Sequence, residues 1–374
     1  MMAPRLTPLV EALPATVPFV GPEAQERARG AGFRARLGAN ESAFGPSPRV
    51  IAALAEAAHE VWRYGDPEAH DLRAAIAAHH GLRPENVMPG EGIDALLGLL
   101  VRMLVEPGTP VVTSAGAYPT FAYHVAGFGG RLVTVPYRGD SEDPEALLGA
   151  VRETGAPLVY LANPDNPMGS WLPAERIQAL VAALPEGCLL CLDEAYADFA
   201  PEGSIPPLDP HETRVIRLRT FSKAHGLAGA RIGYALGAAG LIAAFDRVRN
   251  HFGLGRLAQV AAQAALADRD WLATVVMRVA AGRARIGRIA ADSGLSALPS
   301  ATNFVTVDCG RDGAFARRVL AAMIARGVFV RMPFVAPQDR CIRITVGRPA
   351  DLDIVAEVLP QALAEARAVP DNPG

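Results

Sequence analysis

The sequence predicts an α/β protein: a sheet covered by helices on both faces, followed by a smaller α+β unit. Three observations carry this prediction. Short apolar runs (TPVVT, RLVTV, PLVYLA, CLLCLD, RVIRL, ARIGYAL) alternate with helical patterns (RVIAALAEAAHEV, AHDLRAAIAAHH, AERIQALVAAL). Runs that are apolar throughout, interleaved with helices, belong to a sheet buried on both sides. After about Leu241 the character changes, and strands and helices become fewer and more mixed.

Taken in order, the short run NVM opens into PGEGIDALLGLL, a strong helix with glycines at its start. The strand-like runs then follow one another to ARIGYAL, broken by loops such as EGSIPPLDP; FGPSP is a similar break nearer the start. WLATVVMRVAAGRARIGRIAA reads as one extended amphipathic helix. NFVTVDC, a helix around Ala314–Ala325, GVFVRM, CIRITVG and a closing helix from Asp351 complete the second unit.

Composition excludes several classes of function. A chain of 374 residues exceeds one comfortable core, which favours two domains. With 50% hydrophobic and 20% charged residues it has the balance of a packed globular protein. A net charge of -3 leaves no electrostatic footprint for nucleic acid or an anionic membrane. No apolar run approaches a membrane span, and MMAPRLTPLVEALP lacks the apolar core of a signal peptide, so the expected location is the cytoplasm. Cys188 and Cys191 form a C-x-x-C, but on a strand positions three apart point to opposite faces. They are expected in the core, and no metal site is predicted.

The candidate chemistry sits at the ends of the strands, where an open α/β sheet binds its ligand. Gly90, Gly92 and Ala95 fit G-x-G-x-x-A at a helix N-terminus, a natural cradle for an anion. A dinucleotide site would also need an acid at the end of the next strand; TPVVT runs into SAGAYPTF, which has none. PLVYLA delivers Asn163, Asp165 and Asn166; CLLCLD delivers Asp193, Glu194 and Tyr196; RVIRL delivers Ser222 and Lys223. Each has an ordinary explanation alone: a turn former, an N-cap, a solvated loop cation. An acid, a phenol, an amide, an amine and a phosphate cradle at successive strand ends point instead to one site.

These residues resemble a known family. LGANESAFGPSP, RYGDPEAHDLR, GEGIDALL, YPTFAY, NPDNPMG, DEAY, TFSKAHGLAGARIGY, TNFVTVD and GVFVRM…CIRITVG are similar, in this order, to the fold-type-I aminotransferases that depend on pyridoxal 5'-phosphate. Within them the match is to the histidinol-phosphate aminotransferase branch. The resemblance implies a large domain (46–265) with a mostly parallel seven-stranded sheet between helices, a C-terminal small domain (266–374), and an N-terminal arm (1–45) that partly joins the small domain. It implies that Lys223 forms the Schiff base with the cofactor and shuttles the substrate proton. Asp193 would pair with the pyridine nitrogen, Asn166 and Tyr196 with the ring hydroxyl, and Phe121 would stack on the ring. The amides of Glu91, Gly92 and Ile93, with Ser222 and Arg231, would grip the phosphate. Tyr64 would reach the phosphate from a partner subunit, which implies a homodimer with shared sites. Arg343 and Arg331 would clamp substrate anions, and Asn40 would line the same mouth.

The chain departs from the family pattern at three positions. Phe19 stands where the arm carries a tyrosine, Met168 replaces a threonine, and Ile93 replaces a polar residue of the cradle. The loss of the Phe19 hydroxyl bears on the substrate and not on the cofactor. Histidinol phosphate is the leading substrate, aromatic amino acids come next, and 2-oxoglutarate is the expected acceptor. Two alternatives stay open: a decarboxylase of an amino-acid phosphate such as phosphothreonine, and a non-catalytic regulator that binds the same cofactor.

Overall fold

The computed structural model describes residues 5–14 and 20–369. Its strands, in chain order, are β1 (Ala35–Arg36), β2 (Val87–Gly90), β3 (Pro110–Ser114), β4 (Arg131–Val135), β5 (Leu158–Ala162) and β6 (Leu189–Asp193). Then come β7 (Val215–Thr220), β8 (Gly233–Leu236), β9 (Ser296–Ala297), β10 (Phe304–Asp308), β11 (Val328–Phe329) and β12 (Cys341–Thr345). Seven of them form one sheet in the order β2-β8-β7-β6-β5-β3-β4. Only β8 runs against its neighbours; the pairs β3/β4, β3/β5, β5/β6 and β6/β7 are parallel. The mostly parallel seven-stranded sheet of the expectation is therefore present.

The period-two alternation of side chains sorts the apolar residues of each strand to two faces. Val111, Tyr160, Cys191 and Ile216 pack on one side, with Leu96, Leu97 and Leu100 from the helix Gly92–Leu104. Val112, Val159, Leu161 and Leu190 pack on the other, with helices Pro144–Thr154 and Ala174–Ala183. Cys188 falls in the second cluster and Cys191 in the first, both buried and free. That is the separation predicted for a C-x-x-C entering a strand.

Local signals place the helix ends. Asp143 caps Pro144–Thr154 by accepting from the N–H groups of Glu145 and Ala146, and Gly155 closes it in the left-handed conformation. The closing helix starts at Pro349, two residues before Asp351. Asp351 accepts from the Arg348 N–H at 2.8 Å, and proline takes the first turn, where no N–H is needed. The run ARIGYAL yields a strand only from Gly233, because Arg231 takes a left-handed conformation at φ 50° that ends the extended chain.

The second unit packs the long helix Arg269–Asp292 and the helices Gly313–Ala325 and Pro349–Ala368 against β10 and β12. Chain segments far apart in sequence are joined here. β1 pairs in parallel with β11, and Ala35 and Leu37 lie in the same core as Phe304 and Val355.

Candidate active site

The carboxyl ends of β5, β6 and β7 and the helix that follows β2 open into one cleft of about 780 Å³, large enough for a cofactor-sized ligand. Asn166, Asp193, Tyr196, Ser222 and Lys223 line it, as do Ile93 and Arg231 on the cradle side. Asn40, Arg331 and Arg343 close it from the second unit and the N-terminal segment. Ten sequence-predicted residues are thus brought together.

Lys223 follows β7 in a loop held tightly against the N-terminal segment. A side chain at Gly226 would meet the Gly45 carbonyl at 2.3 Å, so the loop can pack there only as glycine. The Lys223 Nζ donates to the Asn40 carbonyl at 3.1 Å and lies 5.7 Å from the centre of the Tyr196 ring. Burial, with Arg343 nearby, brings its amine down to about 8. A further signal lay in the composition. Lys223 is the only lysine in the chain, all other cations of the 36 Lys and Arg being arginine.

Asp193 is the last residue of β6 and is 5% exposed. Its Oδ1 accepts from the Ala195 N–H at 2.9 Å and its Oδ2 from the Tyr160 hydroxyl at 2.7 Å. Burial lifts its carboxyl to about 6, and these two hydrogen bonds pull against that rise. Glu194, next in sequence, turns away from the cleft. It is fully enclosed and bound by Arg217 and Arg219, so it joins the end of β6 to β7.

The NPDNPMG turn separates its polar residues by role. Asn163 binds the backbone of Leu172 and Ser204, and Asp165 accepts from the Met168 N–H and the Tyr137 hydroxyl; both are structural. Asn166 faces the cleft and accepts from the Arg343 guanidinium. Met168 is 1% exposed, so the family's threonine has been replaced by a core side chain.

The cradle has the geometry of an anion site. The helix Gly92–Leu104 begins without a side-chain cap, and Gly92 has φ 83°. A Cβ at Gly92 would stand 2.8 Å from Arg231 Nη2. Arg231 is paired at 3.3 Å with Asp94, which also accepts from the Tyr118 hydroxyl at 3.0 Å. Left-handed backbone at non-glycine positions collects in this cleft, at Asn40 and Arg231, two of the three such residues described. Asn40 uses it to offer its side-chain N–H to the Tyr196 hydroxyl at 2.9 Å and its carbonyl to Lys223.

Arg343 and Arg331 exchange backbone hydrogen bonds as an antiparallel bridge, which sets their side chains next to each other. Arg343 donates to Asn166 and the Gly38 carbonyl, its Nε has no partner, and among the described residues no carboxylate pairs with it. Burial takes its guanidinium down to about 10. A buried cation without a counter-ion is costly, and an anionic ligand would remove the cost.

Some predicted residues lie elsewhere. Phe121 is buried and stacks on Tyr160, with ring centres 4.6 Å apart and planes 18° from parallel. Tyr64 is 78% exposed and touches Phe252, away from the cleft of its own chain. Glu91, whose backbone amide is the group predicted for the cradle, stands at the N-cap of the helix Gly92–Leu104, while its side chain approaches Gly253. Phe19 lies outside the described residues. Tyr160, Asp94 and Tyr118 were not legible as site residues: Tyr160 sits within an apolar run, and only the pairing of β5 with β6 brings it to Asp193.

The family model for aminotransferase class I and II matches residues 35–359. The chain belongs to the class I and II aminotransferases. A histidinol-phosphate aminotransferase from Roseiflexus castenholzii is 37% identical over 331 residues, covering 87% of this chain and 88% of that one. The crystal structure of histidinol-phosphate aminotransferase from Sinorhizobium meliloti in complex with pyridoxal-5'-phosphate matches this aminotransferase with a TM-score of 0.94. It is 57% identical and covers 97% of this chain and 98% of that one. A double mutant of Thermus thermophilus aspartate aminotransferase, at 24% identity and a TM-score of 0.79, shares the fold, with 96% of this chain and 100% of that one covered. No described helix is long and apolar enough to cross a membrane.

Proposed function

We propose that this aminotransferase uses pyridoxal 5'-phosphate held on Lys223 and moves an amino group from histidinol phosphate to 2-oxoglutarate in the cytoplasm. One observation carries the reading. The only lysine of the chain, with a depressed amine, shares a cleft with a buried carboxylate and an uncapped helix N-terminus backed by Arg231. The names of the relatives support histidinol phosphate as the amino donor.

The residues present suit that cofactor. The Gly92 approach to Arg231 leaves room for oxygens where a Cβ would clash, and the backbone N–H groups of the first turn are available to a phosphate. Asp193 offers a buried anion for the ring nitrogen, and Asn166 and Tyr196 offer hydrogen bonds to the ring hydroxyl. Bound there, the cofactor supplies an aldehyde and an electron-withdrawing ring. The protein supplies the rest. Lys223 Nζ, whose amine is brought down to about 8, takes and returns the substrate Cα proton. Arg343 and Arg331 orient the donor through its anionic groups, and Asn40 holds the Lys223 and Tyr196 side chains in register. By this reading residues 46–265 form the cofactor domain and 266–374 the small domain, with 1–45 as an arm.

The test is to mix purified protein with histidinol phosphate and 2-oxoglutarate and to measure glutamate. Release of CO2 from an amino-acid phosphate without glutamate would favour the decarboxylase; no turnover of either would favour the regulator. We expect kcat/KM for histidinol phosphate to exceed that for phenylalanine, but within about tenfold, roughly 1.4 kcal/mol, because Phe19 makes the arm more apolar. A ratio of a thousand would make Phe19 a neutral replacement.

We further propose a homodimer with shared sites. Trp62 is 75% exposed, Tyr64 78% and Phe252 54%, a group of large apolar side chains that a second copy would cover. Mixing inactive Lys223→Ala chains with an impaired Tyr64→Phe variant should restore about half of the wild-type activity per heterodimer, since one intact site of two is rebuilt. Heterodimers that regain nothing would place both residues in the site of one chain.

A further inference from the structure

Tyr160 is fully buried in the middle of β5, next to the strand that ends in Asp193. Its hydroxyl donates to Asp193 Oδ2 at 2.7 Å, and its ring stacks on Phe121. Burial, with Asp193 beside it, holds the phenol well above its usual range, so it remains a protonated donor wherever the enzyme works. With Ala195 N–H on Oδ1, each carboxylate oxygen of Asp193 is held by one donor and keeps another lone pair for a ligand. The other groups that bear on this carboxylate come from several elements. Lys223 favours its charge and Asp94 opposes it, and the buried Glu142, Cys191 and Tyr196 interact with it as well.

We propose that Tyr160 is a positioning residue that acts through Asp193: its hydroxyl fixes the carboxylate and keeps it ionised for the ring nitrogen of the cofactor. This rests on the cofactor reading given above. Burial is the largest influence on Asp193 and works against its charge, and Asp94 adds to it; the hydrogen bonds from Tyr160 and Ala195, with Lys223, oppose that rise. A donor on each oxygen is what a buried carboxylate needs in order to stay charged.

The test is Tyr160→Phe, which keeps the ring and its stack on Phe121 and removes only the hydroxyl. Two readouts are needed. The first is the acid limb of kcat/KM against pH. Asp193 loses a hydrogen bond to its charged form, so its pKa rises and the limb should move up by about one pH unit. The second does not depend on turnover: binding to cofactor-free protein at pH 7, followed by tryptophan fluorescence. Pyridoxal phosphate is compared with the analogue that has carbon in place of the ring nitrogen. The variant should bind pyridoxal phosphate about tenfold more weakly than wild type, on the scale of one charge-assisted hydrogen bond, and bind the analogue equally well. Phe121→Leu, which removes the stack but leaves the hydroxyl, should weaken both ligands alike and leave the limb in place. An unmoved limb, or equal losses for both ligands in Tyr160→Phe, would make Tyr160 a core ring only. Wild-type protein that binds neither ligand would overturn this assignment together with the cofactor reading.

Discussion

Lys223→Ala protein is expected to lose transamination by several orders of magnitude while still taking up pyridoxal phosphate. The loss follows from the role of the amine, which both holds the cofactor and moves the substrate proton, so no neighbouring group replaces it. Arginine cannot stand in, because its guanidinium stays protonated and is a poor nucleophile. Retention follows from the cradle, whose backbone N–H groups and Arg231 are untouched by the substitution. Borohydride reduction of the wild type should fix the cofactor to Lys223, and the chain makes the result easy to read. With no other lysine, the only competing amine is the N-terminus. An adduct at the N-terminus alone, or near-normal turnover in the alanine variant, would sink the mechanism. The depressed amine adds a pH dependence. With a value of about 8, the neutral fraction of Lys223 is already appreciable at pH 7.5, whereas an ordinary lysine near 10.4 is almost wholly charged. Uptake of the cofactor should therefore rise with pH and level off above about 8, and a rise that continued to pH 10 would show an unperturbed amine.

The second large effect is expected at Asp193. Asn at this position keeps the shape and removes the charge, and turnover should fall by about a thousandfold, the scale of losing a preorganised electrostatic partner. Cofactor should still bind through the cradle at the start of the helix Gly92–Leu104 and through Arg231. The pH dependence has a definite sign. In the cofactor-free protein Asp193 sits at about 6, raised by burial, so its charge is present above that pH and lost as pH falls through it. Wild-type affinity for pyridoxal phosphate should weaken below pH 6, whereas Asp193→Asn should be flat there. Binding titrations at pH 5 and pH 8 measure this. Near-normal turnover in the Asn variant would mean that Asp193 is structural.

The sequence by itself determined the elements and the ends of the strands. Apolar runs without alternation marked β3, β5 and β6, because a strand covered on both faces has no side that must be polar; in β7 Arg217 and Arg219 alternate with Ile216 and Leu218. Asp193, Asn166 and Lys223 were legible because each ends a strand or lies in the loop that follows one, and a parallel sheet places all those ends on one edge. Tertiary structure decided which groups meet. Tyr160 and Asp193 are 33 positions apart, and Asn40 and Thr345 are 305 apart. Which residues lie opposite each other depends on strand order and register, and a period-two pattern fixes the face of a side chain without naming the strand that pairs with it. The same holds for β1, whose two residues find β11 across nearly the whole chain, and for Arg331 and Arg343, which a backbone bridge sets side by side. A periodic pattern states which face a side chain takes; only the folded chain states what stands on the other side of it.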